Sequence, residues 1–120
     1  MATLISAPAR IPVPGGKVID EHVGLVATGD GHVSVARMIA PPGWSEPPQT
    51  PDFDEITVVL NGELIVETDD GDLRVLAGQS IITRAGERVR YLVGDEGAEY
   101  VAICTPAFSP ESSNREEDEE

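Results

Sequence analysis

An all-β domain, built as a sandwich or a small barrel, is predicted by three observations. Short runs rich in Val, Ile, Leu and Thr recur along the chain. Proline and glycine punctuate it about every eight to twelve residues. Helical periodicity is scarce. The 120 residues suffice for one domain with one modest core.

The elements follow in order. Residues 1–16 carry Pro8, Pro12 and Pro14 and are expected to run extended along the body, as an edge or an arm exchanged within a dimer. Residues 17–110 are expected to form the barrel, with strands over 17–19, 24–28, 32–39, 55–60, 63–68, 72–76, 80–83, 89–93 and 99–105. Asn61-Gly62, between Val58-Val59-Leu60 and Leu64-Ile65-Val66, reads as a type I′ hairpin turn, because both central positions of that turn need positive φ. A second tight turn is expected at Asp69-Asp70-Gly71-Asp72, completing a meander through Thr83. Residues 111–120 have almost nothing to bury and are expected to be a disordered acidic tail.

The formal net charge is −14. Such a surface serves solubility and repels phosphate backbones and anionic lipid heads, so neither nucleic acid nor membrane is expected as a partner. No run of 18 apolar residues marks a membrane span, and the N-terminus lacks the pattern of a secretory signal. A single cysteine, Cys104, forms no internal disulfide framework and fits a cytoplasmic location. The phosphate-loop, nucleophile-elbow and Cys-x-x-Cys patterns are all missing.

One spacing carries more specific information. Gly43, Gln49, Pro51, Glu55 and Gly62 keep the rhythm Gly-x5-His-x-His-x3-Glu-x6-Gly, with both histidines replaced. Gly78, Arg84, Gly86 and Val89 follow Gly-x5-Pro-x-Gly-x2-His, with its proline and histidine replaced. The stretch from Val33 to Pro106 thus resembles the cupin superfamily. Pro51-Asp52-Phe53-Asp54-Glu55-Ile56 and the closing Cys104-Thr105-Pro106-Ala107-Phe108 are most similar to small single-domain cupins of the ethanolamine-utilization type. The resemblance implies a small jelly-roll β-barrel, in which those histidines and the glutamate would grip a divalent metal. Here Gln49 offers a neutral amide oxygen while Pro51 and Val89 offer no donor, so no metal and no other cofactor is expected. His22 and His32 lie outside both motifs.

The resemblance also points Glu55 into the barrel. A carboxyl enclosed there without a cation should have a raised pKa and suit acid–base work; alternatively it is exposed, or neutralised by an arginine. Strand alternation places Thr57 and Val59 beside Glu55, and Tyr91 beside Val89. Glu55 and Tyr91 are the candidate catalytic residues. Gln49, Thr57, Arg37, Trp44, Val89 and Cys104 are the candidate substrate contacts, with Arg37 placed either against Glu55 or at the rim. The expected function is a metal-independent, or weakly metal-binding, enzyme of isomerase, cyclase or lyase type acting on a small organic molecule in the barrel. The alternative is a non-catalytic small-molecule-binding or accessory module. A homodimer is expected in either case.

Overall fold

The structure, a computed structural model, describes residues 1–116. It is nearly all β. The strands are β1 (Ala9–Ile11), β2 (Val18–Val23), β3 (Ser34–Ala40), β4 (Asp54–Thr68), β5 (Gly71–Leu76), β6 (Ser80–Thr83) and β7 (Val89–Thr105), followed by a short helix α1 (Pro110–Ser113). All pairings are antiparallel, in the order β1-β2-β3-β7-β4-β5, with β6 beside the first half of β4.

Two long strands organise the molecule. The first half of β4 pairs with the second half of β7, from Asp54↔Thr105 to Val59↔Tyr100. Beyond a bulge the second half of β4 pairs with the start of β7, from Leu64↔Val93 to Thr68↔Val89. Both strands bend at that bulge, which rolls the sheet onto itself. Inward-facing residues from the two halves, among them Val59, Leu64, Val66, Val75, Tyr91, Val93 and Tyr100, then form one core.

This arrangement corrects the hairpin expected at Asn61-Gly62. The chain does not reverse there: β4 runs straight through both residues. Gly62 does take positive φ, at 78°, but it uses that freedom to bend. A Cβ on Gly62 would lie 2.2 Å from the carbonyl oxygen of Gly97, and one on Gly97 would lie 2.5 Å from that of Ala40, so three strands meet at a point without room for side chains. The turn expected at Asp69-Asp70 does form, joining β4 to β5 through the pair Thr68↔Gly71. Residues 24–28, expected as a strand, instead form a turn stitched by Thr28 N–H donating to Gly24 O at 3.0 Å.

The N-terminal arm adds β1 to the edge of β2, pairing Ile11 with Ile19. The segment expected to be disordered from Glu111 begins as α1. Ser109 caps it through a reciprocal bond with Ser112, Pro110 opens it, and Asn114 closes it in the left-handed conformation. Glu116 then reaches Arg88 at 2.7 Å. Residues 117–120 of that expected tail lie outside the described residues. Among the described residues no helix is long and apolar enough to cross a membrane.

Candidate functional site

The roll encloses a cavity of about 430 Å³, open at one end. Its floor comes from the inner faces of β3, β4 and β7, and its mouth from the proline-rich segment 41–51, the N-terminal arm and the start of the C-terminal segment.

Gln49 is set by its backbone. Its N–H donates to Val89 O at 2.8 Å and its C=O accepts from Val89 N–H at 2.9 Å. The side chain is buried, and its Oε1 has no hydrogen-bond partner among the described residues. Glu55 projects from the inner face of β4. Its Oε2 accepts from Thr57 Oγ1 at 3.3 Å, and the Cys104 thiol lies 3.7 Å from Oε1. Tyr91 shares a hydrogen bond of 3.0 Å with Thr83, whose strand position lies directly opposite Glu55. Trp44 is buried at the mouth.

Lys17, the single lysine of the chain, lies across that mouth. Its ammonium sits 4.0 Å from the centre of the Trp44 ring and 5.4 Å from that of Tyr100. Glu46 stands beside it, bound by Arg115 at 2.8 Å.

Burial dominates the electrostatics. Desolvation, with a further push from Glu46, raises the Glu55 pKa to about 7, against the pull of Lys17 and of its Thr57 and Cys104 hydrogen bonds. Desolvation lowers the Lys17 pKa and raises those of Tyr91, Tyr100 and the Cys104 thiol. Chemically, the cavity holds one carboxyl able to take or release a proton near neutrality, with an amine and an unpaired amide oxygen in the same chamber.

Glu55, Tyr91, Gln49, Trp44 and Cys104 all line this cavity. Thr57 is buried behind Glu55 and supports it. Two candidates do not belong to it. Arg37 points away, on the outer face of β3, and bridges Glu99 at 2.6 Å. The Val89 side chain is core, and only its backbone serves the site, by holding Gln49. Lys17, Glu46 and Arg115 were missed because none holds a defining position of either motif: Lys17 directly precedes β2, Glu46 is one of the five unspecified residues between Gly43 and Gln49, and Arg115 follows α1. Glu21 was missed as well: it is buried and accepts from the backbone N–H groups of Val26 and Ala27 at 3.0 and 2.9 Å.

The residues present do not fit the divalent metal that the resemblance implies. At the motif positions Glu55 supplies one carboxylate, Gln49 adds one weak neutral donor, and Pro51 and Val89 add none. Among the described residues no three His, Cys, Asp or Glu side chains converge.

No family model matches the chain. Its path superposes on that of an RmlC-like cupin from Shewanella frigidimarina NCIMB 400 with a TM-score of 0.72 and 13% identity, covering 88% of this chain and 89% of that one. The fold is of the cupin type. Another cupin-type neighbour is an ethanolamine utilization protein Q from Salmonella typhimurium LT2, with a TM-score of 0.61 and 21% identity over 77% of this chain and 71% of that one. At these identities the likeness is one of fold alone.

In sequence, the chain is 46% identical over 107 residues to endoribonuclease YbeY of Myxococcus xanthus (strain DK1622). The match covers 88% of this chain but only 36% of that protein, so the chain spans about a third of its relative's length. This relative overturns the function expected from the sequence. It is named for cutting RNA, whereas a cupin-type enzyme converting a small organic molecule was expected.

Proposed function

We propose that the chain serves RNA processing, working beside an RNA-cutting unit without cutting the RNA chain itself. The observation that carries this reading is the 46% identity, sustained over 88% of the chain, to a stretch that makes up 36% of an endoribonuclease.

The division of labour is argued from the chain's own chemistry. Cleaving a phosphodiester calls for charge stabilisation at the phosphate and a positioned acid and base. The cavity has one titrating carboxyl and a lysine packed against aromatic rings, while Arg115 is already paired with Glu46. The net charge of −14 repels a phosphate backbone, so a basic companion would supply RNA contact.

The reading is tested in cells from which the chain has been deleted, by mapping RNA 5′ and 3′ ends across the transcriptome. A defined set of displaced ends is expected, restored by the plasmid-borne chain. An unchanged end map overturns the proposal. The purified chain, incubated with single-stranded RNA at low salt, is expected neither to retain nor to shorten it. Cleavage there would overturn the assigned division of labour.

A further inference from the structure

Lys17 keeps its charge in an unusual place. Its ammonium lies over the rings of Trp44 and Tyr100, 4.0 and 5.4 Å from their centres. Glu46, which could answer that charge, is bound by Arg115 at 2.8 Å. Burial lowers the Lys17 pKa against the pull of Glu46 and Glu55, so the ammonium gives up hydration to stay there. The residue as a whole is half-buried, at the open end of the cavity. It follows Gly15 and Gly16, which take positive φ of 83° and 79°, and Gly15 packs against the Trp44 ring with room for nothing larger than a Cβ at 3.6 Å.

The other polar features of the chamber also suit a cation. Aromatic faces carry negative potential. Glu46 and Glu55 line the same cavity, and both are acids. Gln49 is 4% exposed, and its Oε1 is an acceptor with no partner among the described residues. A buried acceptor left without a donor is costly, and a ligand with an N–H or O–H relieves that cost. The net charge of −14 adds a field that draws cations to the mouth and turns anions away.

We infer that the cavity binds a small organic ammonium ion, and that Lys17 fills its cationic end when no ligand is present. The inference goes beyond the RNA reading and does not depend on it. The ligand's nitrogen takes the place of the lysine ammonium over Trp44 and Tyr100. Lys17 swings out past the mouth on its flexible stem. The body of the ligand lies in the chamber of about 430 Å³, where it donates to Gln49 Oε1. One cation leaves as one enters, so the balance with Glu46 and Glu55 is kept. An alkylated ammonium sheds less water than the lysine head, which regains its own hydration outside. Lys17 is thus a tethered competitor, present at the high effective concentration that a short tether confers.

Trp44 is the single tryptophan of the chain and Lys17 its single lysine, so each reports on this site alone. Trp44 fluorescence of the full chain is followed while tetramethylammonium chloride replaces sodium chloride at constant ionic strength. A saturable change is expected. Lys17→Met keeps a stem of similar length without the charge, and is expected to tighten tetramethylammonium binding at least tenfold. Should that variant fail to fold, the wild type decides by NMR with the lysine labelled in carbon-13. Its ε-proton signal is expected upfield, under the two rings, and should return to its open-chain position as tetramethylammonium saturates. Absence of a saturable change in both proteins overturns the inference. So does binding that Lys17→Met leaves no tighter, or that leaves the wild-type lysine signal where it was. A saturable response to sodium acetate, with none to tetramethylammonium, would make Lys17 an anion anchor and overturn it as well.

Discussion

Glu55 sets the pH response of this protein. Its folded-state pKa near 7 lies above the ordinary 4.5, so between those values the folded chain keeps a proton that the unfolded chain has released. The stabilisation is fully present below about pH 4.5 and is lost as pH rises through about 7. At 1.36 kcal/mol per unit, the loss approaches about 3 kcal/mol by pH 8. Glu55→Gln removes that dependence. Urea unfolding of both proteins at pH 5.5 and 8.5 should show the variant gaining about 2 kcal/mol on the parent between the two; parallel pH profiles would place the carboxyl in water. The alternation of β4 made the inward set Glu55, Thr57 and Val59 readable from the chain alone. Arg37 was harder. It follows Val35 and precedes Ile39 by two, and that apolar stripe suggested an inner face. Because the outer face is apolar too, alternation separated the two faces without saying which was inside. Lys17 carried no signal beyond being the single lysine, since the join of arm and β2 that sets it over Trp44 has no motif.

At the scale of elements, the bend of β4 and β7 decides whether there is a cavity at all. Asn61-Gly62 announced a position of positive φ, and that much was legible. Whether such a position reverses a strand or bends it depends on the partner strand, which arrives as Gly97, thirty-five residues later. Local text cannot show that crossing. The Asp69-Asp70 turn, in contrast, is closed by its own neighbours, with Thr68 Oγ1 donating to Gly71 O at 2.8 Å, and was readable for that reason. The helix Pro110–Ser113 was not legible, and a disordered tail was expected from Glu111, because its capping serines look like linker until Asp52 and Thr50 come to meet it. Gly62→Ala tests the bend. The added Cβ combines an unfavourable φ with overlap on the Gly97 carbonyl, and it should destabilise the fold by about 2 kcal/mol or more in urea unfolding. A loss below about 0.5 kcal/mol would mean that the strands do not meet there.

For the molecule as a whole, the fold class was written in the spacing of glycines and the recurrence of short β runs, whereas the working context was not. Glycines at bends and turns keep their rhythm because geometry demands it. All three motif histidines are replaced, and with them goes the chemistry that the spacing suggests; the RNA connection rests on identity to a longer relative rather than on any residue of the cavity. The aliphatic outer sheet also has a consequence in acid. Near the isoelectric point of about 4.3 the repulsion between molecules vanishes, while Ile56 and Ile82 stay 38% and 52% exposed on the outer face of the sheet. A turbidity minimum at neutral pH and a sharp maximum between pH 4 and 5 are expected, with Ile82→Glu flattening the maximum. The protein's excess of carboxylates would then act as a dispersant, keeping a sticky surface in solution at neutral pH.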